Sequence, residues 1–170
     1  MHKFCYALLI VMCFSACDEK AVFHEYKSLP NYWERDSAVV FNIEELDSIE
    51  KYNLFITLRN TNDYDYSNLF VISELQFPNG KTISDTLEYE MARPDGSWLG
   101  TGFGDLKENK LWYKEAFRFS ESGMYQIRLK QAMRRNGSVN AIQQLEGIED
   151  VGIRIEKINE YNGSEEQEGS

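Results

Sequence analysis

LFVISELQF (69–77), PNGK (78–81) and TISDTLEYEM (82–91) together form the stretch whose reading decides the fold. Two runs of strand length, rich in β-branched and aromatic residues, flank an Asn-Gly pair. This reads as a β-hairpin, because a tight two-residue turn needs positive φ at both central residues and Asn-Gly accepts it. The same grammar repeats outward. Residues 37–44 (SAVVFNIE) and 52–59 (YNLFITLR) precede the hairpin, and Leu54, Ile56 and Leu58 share one face of the second run. Residues 110–119 (KLWYKEAFRF), 124–133 (MYQIRLKQAM) and 151–158 (VGIRIEKI) follow it. Trp112 and Phe117 fall on opposite faces if no bulge intervenes. In 124–133, Tyr125, Ile127, Leu129 and Gln131 alternate with Gln126, Arg128 and Lys130. Polar turns at 47–51, 60–68, 121–123 and 136–140 separate the runs, and 141–145 has room for one helical turn. Seven to eight antiparallel strands without a long helix predict an all-β chain. Its form is a single β-sandwich of immunoglobulin-like or jelly-roll type. Periodicity carries no strand order.

Both ends differ from this body. His2 and Lys3 precede an apolar run at 4–14, small residues follow, and Cys17 stands directly before Asp18, Glu19 and Lys20. Basic start, apolar run and small residues are the parts of a secretory signal. About 11 helical residues rise roughly 16 Å, half a bilayer core, so the run is too short to span. Phe14-Ser15-Ala16-Cys17 resembles the lipobox of bacterial lipoproteins, with Phe14 where Leu is usual. That resemblance implies cleavage before Cys17 and acylation of its thiol; a plain cleaved signal and an apolar terminal strand are the alternatives. The expected organisation is a signal peptide at 1–16, a lipidated Cys17 and tether at 17–36, the sandwich at 37–158 and a disordered acidic tail at 159–170. Within the tether, residues 22–26 read as a short edge segment before Pro30 interrupts.

Composition bounds the partners. Cleavage at Cys17 removes Lys3 and no acid, which moves the formal charge from -10 to -11. So acidic a chain does not seek nucleic acid or anionic headgroups by charge; its membrane contact is expected through the lipid, where two or more acyl chains anchor stably. Cys5 and Cys13 leave with the signal and Cys17 is acylated, so neither a disulfide nor a thiolate metal site is expected.

Residue types that carry catalysis are scarce. Of His2 and His24 only His24 survives processing, which excludes a multi-histidine metal site and disfavours a Ser-His-Asp catalyst. The acids are many, but nothing singles out a glycosidase pair. No catalytic residue, cofactor or metal is assigned. Residues 62–68 (NDYDYSN) alternate oxygen ligands as calcium loops do, yet lack the sharp-turn glycine and the distal Glu. Asx turns explain Asp63 and Asp65 equally well. Residues 93–105 (RPDGSWLGTGFGD) are the most irregular interior stretch, and their glycines make a helix unfavourable. Without a following helix N-terminus this is no phosphate cradle. Trp98, Asp95, Gly96, Gly100, Gly102 and Phe103 are therefore the candidate partner or ligand surface. Trp98 either stacks on a sugar or protein partner, helped by Trp33 or Tyr64, or plugs the end of the sandwich. Asp36-Ser37-Ala38, Asp47-Ser48-Ile49 and Asp85-Thr86-Leu87 look like bacterial O-glycosylation acceptors, a pattern frequent by chance.

Five segments carry a resemblance beyond the lipobox: Val22-Phe23 with Tyr26, Asp85-Thr86-Leu87-Glu88-Tyr89, residues 94–102 (PDGSWLGTG), Gln131-Ala132-Met133-Arg134, and residues 145–157 (LEGIEDVGIRIEK). Together they resemble the H-type gliding-motility lipoproteins of Bacteroidetes, the GldH family, over nearly the whole mature chain. Leu145-Glu146-Gly147 stands where Leu-Pro-Gly is expected. The resemblance implies a non-catalytic, lipid-anchored envelope protein of the outer membrane. It also implies contacts with other gliding and type IX secretion envelope proteins. A surface glycan-binding lipoprotein is the alternative.

Overall fold

The structure, a computed structural model, describes residues 20–135 and 137–158. Cys17 and the whole acidic tail read at 159–170 lie outside the described residues. Ten strands run in chain order: β1 (Ala21–Ser28), β2 (Tyr32–Glu34), β3 (Val39–Ile43), β4 (Tyr52–Asn60), β5 (Asn68–Gln76), β6 (Thr82–Glu90), β7 (Lys107–Phe117), β8 (Tyr125–Gln131), β9 (Gln144–Glu146) and β10 (Ile148–Lys157). One sheet has the order β1-β10-β4-β7, a second β3-β8-β5-β6, and β2 pairs with β9 as a small ribbon. All named pairs are antiparallel. Setting the ribbon aside, the eight strands interleave as first-eighth-third-sixth against second-seventh-fourth-fifth. This is the jelly-roll arrangement, and it resolves the two sandwich types left open above.

Alternation works as the sequence suggested where one face meets the core. In β8, Tyr125, Ile127, Leu129 and Gln131 are buried while their neighbours are half-exposed. In β5, Leu69, Val71, Ser73 and Leu75 are buried. They meet Leu54, Ile56 and Leu58 of β4 and Val151, Ile153 and Ile155 of β10 in one core. β7 does bulge, with two register shifts against β4 and φ of 49° at Ala116. Phe117 still packs on the core, and Trp112 is 55% exposed on the outer face.

Four local expectations are corrected. The short edge segment read at 22–26 is present and longer, as edge strand β1 paired with β10 through Ser28, so the tether reading of 17–36 does not hold from Ala21 onward. Pro30 and Asn31 turn the chain without ending the domain, and Trp33 of β2 is fully buried with Nε1 donating to the Ser37 carbonyl (3.3 Å). Residues 141–145 contain no helical turn: Ala141 bridges Arg134 and β9 pairs with β2. The 78–81 turn is not the two-residue form, since Gly80 has positive φ (87°) and Asn79 does not. Pro78 fixes its own φ at the value a type I turn wants, so only the residue after that turn becomes left-handed. Finally, β4 buries both faces, because Phe55 and Thr57 are covered by side chains of β1 and β7 on the outer side.

Candidate functional site

The candidate residues 93–105 form two successive turns between β6 and β7. The first is closed by Arg93 N–H donating to the Ser97 carbonyl (2.8 Å) and by a bridge between Ala92 and Trp98. Asp95 accepts from the backbone N–H (2.9 Å) and hydroxyl (2.6 Å) of Ser97, and these bonds hold its exposed carboxyl below the ordinary aspartate value. Gly96 takes the left-handed position of this turn. The second turn is closed by the paired bonds of Thr101 and Glu108 (2.9 and 2.7 Å). Gly100 lies against Asn109, and Gly102 lies so close to the Leu106 carbonyl that a Cβ would collide with it.

Trp98 and Phe103 part company here. Trp98 is half-buried and packs against the core, its ring 6.2 Å from Tyr64. Its Nε1 donates to Asn62 Oδ1 (3.1 Å), and Asn62 Nδ2 donates to Asp105 (2.8 Å). Trp98 thus plugs the end of the sandwich and ties loop 61–67 to loop 91–106. Phe103 is 99% exposed at the tip of the second turn. Trp33 and Tyr64, the other aromatics the glycan reading would use, are 0% and 2% exposed and belong to the core. The Tyr64 hydroxyl donates to the Asn68 carbonyl (2.7 Å), and burial raises its pKa.

Behind Phe103 lies a cleft of about 420 Å³ lined by Arg59, Thr101, Gly102, Phe103, Leu106 and Glu108. Arg59 on β4 was not singled out by sequence. Its Nε bonds Glu108 (3.0 Å), Nη1 is 3.6 Å from Asp150, and the guanidinium lies 4.2 Å from the Tyr26 ring centre. An arginine held over an aromatic face and already paired to acids, lining a cleft with Glu108, suits a neutral acceptor such as a carbonyl better than a carboxylate. The same outer face continues to Trp112, whose ring is 4.5 Å from that of Phe55, and to Lys110, whose Nζ is 4.1 Å from the Phe55 centroid and 2.7 Å from Glu156. The opposite parity of Trp112 and Phe117 was the one sequence signal for this surface.

Asp63 and Asp65 line a separate cleft of about 400 Å³ with Asn31, Asn62 and Glu146. Asp63 accepts from Asn31 Nδ2 (3.2 Å). Among the described residues no group of three or more His, Cys, Asp or Glu side chains is placed to hold a metal. Nor is any helix long and apolar enough to cross a membrane.

Fold and site together define a jelly-roll domain that presents a loop tip and an aromatic sheet face. Residues 21–155 match the family model described as GldH lipoprotein. The chain is 57% identical over 150 residues to the gliding motility lipoprotein GldH homolog of Christiangramia forsetii, covering 88% of this chain and 92% of that protein. It is 49% identical over 150 residues to the gliding motility lipoprotein GldH of Flavobacterium johnsoniae, covering 88% and 93%. The chain belongs to the GldH lipoprotein family. Among solved structures, that of infectious bursal disease virus Gx strain aligns at a TM-score of 0.33 and 10% identity, covering 84% of this chain and 34% of that one.

Proposed function

We propose that this chain serves gliding motility as a non-catalytic envelope component. Acylated Cys17 holds it to the outer membrane, and it acts by docking onto other gliding and type IX secretion envelope proteins. Family membership supports the process. The observation that carries the docking site is Phe103, 99% exposed on a hairpin tied across its base and backed by the Arg59 cleft. A lone exposed apolar side chain is ordinary on a surface; what favours Phe103 as an anchor is its place on a tied loop tip beside the Arg59 cleft.

The early start of β1 adds a constraint. Four residue steps separate Cys17 from Ala21. Fully extended they reach about 14 Å, so the lipid would hold the sandwich close against the bilayer. Partners are then reached from the membrane surface, without a long arm. The test is complementation of a deletion strain in a gliding host. The wild-type gene should restore spreading, and Cys17→Ser and Phe103→Asp should not. Unimpaired gliding in the deletion strain would overturn the function, and full rescue by Phe103→Asp would overturn the site. Detergent pull-down of the lipidated protein, with Cys17→Ser as control, should recover gliding or type IX components by mass spectrometry.

A further inference from the structure

The two sheets have four edge strands, and three carry a device that discourages further pairing. β1 shifts register between Ala21 and Phe23. β7 has two register shifts, positive φ at Ala116, and Lys107, Lys110 and Lys114 along its length. β3 has only five residues. Bulges, lysines and short length are how sheets keep their edges from recruiting other chains. β6 has none of these three, and its charges are acids only: Asp85 on the core-facing side and Glu88 and Glu90 on the exposed side. It runs nine residues without a register break against β5, contains no Pro, Lys or Arg, and ends its sheet.

The direction of its backbone groups follows from the bonds that bracket the hairpin. Phe77 N–H donates to the Lys81 carbonyl (2.8 Å) and Met91 N–H to the Ser67 carbonyl (2.7 Å). In an antiparallel pair the bonded residues alternate, so odd-numbered residues of β6 spend their N–H and C=O on β5. Thr82, Ser84, Thr86, Glu88 and Glu90 therefore turn theirs to the open side, and these five are also the exposed residues. From the odd-numbered set, Asp85 pairs with Lys114 (2.9 Å) and the Tyr89 hydroxyl donates to the Trp112 carbonyl (2.6 Å). Those contacts brace the strand from its core-facing side, and among the described residues no strand pairs with its other side.

The geometry points to β6 as an acceptor edge for an extended segment of a partner protein, added antiparallel or parallel as a further strand. Main-chain bonds would supply affinity and alternate side chains the specificity. Charge selects the occupant. Asp85, Glu88 and Glu90 are the charged residues of β6 and all are acidic, so the incoming strand carries Lys or Arg where it passes Glu88 and Glu90. In an antiparallel self-pair centred on Thr86, Glu88 would face Ser84 and Glu90 would face Thr82, so a second copy offers these acids no opposite charge. The proposal uses neither Phe103 nor the lipid and stands apart from the docking site above.

The test uses full-length lipidated protein in detergent and two fluorescein-labelled nine-residue peptides, one alternating Lys with Val, the other Glu with Val. The Lys peptide should bind and slow hydrogen exchange in the 82–90 segment at least tenfold, and the Glu peptide should do neither. Thr86→Pro removes one outward N–H without breaking a bond to β5. It should weaken the Lys peptide at least tenfold while thermal unfolding stays within about 2 °C. Glu88→Lys with Glu90→Lys should reverse the peptide preference and shows whether sequence or backbone loss is being read. Equal binding of both peptides, or protection elsewhere than 82–90, would overturn the proposal. Dimerisation abolished by Thr86→Pro would overturn it in favour of a second copy.

Discussion

Gly147→Ala is the most informative single change for the fold. Gly147 joins β9 to β10 with φ of 78°. Its N–H donates to the Asn31 carbonyl (2.9 Å), and its carbonyl accepts from Thr61 N–H (2.9 Å). One residue thus fastens the β1–β2 turn and the β4–β5 loop to the last strand. A Cβ there would overlap Tyr64 N and lie 2.7 Å from both Asp63 C and Tyr64 Cα, all backbone atoms that cannot rotate away. The left-handed backbone costs Ala about 1 kcal/mol. Displacing loop 61–67 adds about 2 kcal/mol of overpacking, and the Thr61 bond lost with that loop adds about 1 kcal/mol. The expected total is about 4 kcal/mol. With an unfolding entropy of about 2.1 cal/mol/K per residue over roughly 140 ordered residues, Tm should fall about 13 °C. Gly104→Ala is the control, because Gly104 has φ of 66° with nothing within 4 Å of its added Cβ. It should cost only the backbone share, about 1 kcal/mol or roughly 3 °C. Thermal unfolding followed by far-ultraviolet circular dichroism reads both. Equal shifts for the two variants would refute the steric argument, and a Gly147→Ala protein within 2 °C of wild type would refute the fastening role altogether.

Other outcomes follow from the same geometry. Trp98→Ala should destabilise by about 2 kcal/mol from lost burial and its bond to Asn62, whereas Phe103→Ala should stay within about 0.5 kcal/mol; urea titration distinguishes them, and the reverse order would exchange their roles. Partial burial raises the Glu156 pKa, but hydrogen bonds from Lys110 and Arg154 outweigh it and hold the carboxylate below the ordinary value of 4.5. Its stabilisation is present above pH 4.5 and is lost as pH falls through the lower folded-state value, so Glu156→Gln should flatten the acid limb of a stability–pH curve. Burial pushes the Tyr113 phenol up to about 12 and also raises Tyr64 and Tyr89 above 10. The folded state favours the neutral phenols, so stability should hold below pH 10 and fall as pH rises toward 12, with ultraviolet titration showing these phenols ionising only on unfolding.

Much of the fold was legible because alternation is a local property. Leu54, Ile56 and Leu58 announce one face of β4, and Tyr125 to Gln131 announce the face of β8, whatever the strands pair with. The site was less legible. Trp98 and Phe103 stand five residues apart in the same Gly-rich stretch, yet one plugs the sandwich and the other points into solvent. No pattern within 93–105 separates them. Asn62 does, and it comes from a loop more than thirty residues away. Trp33 read as available for a ligand because Pro30 and Asn31 looked like the end of order; the β9 strand that buries it lies at the other end of the chain.

By itself the sequence determined the all-β class and most of the strands and turns, which rest on residues near one another along the chain, and the family, which rests on short motifs spread along it. Only the tertiary structure decided the jelly-roll order, the inclusion of β1 and β2 in the domain, the second buried face of β4 and the open edge of β6. These depend on pairings between distant segments, β1 with β10 and β2 with β9, whose partners are chosen by mutual burial and backbone hydrogen bonding. A strand's own residues state that it will pair and which face is apolar; they do not state with what.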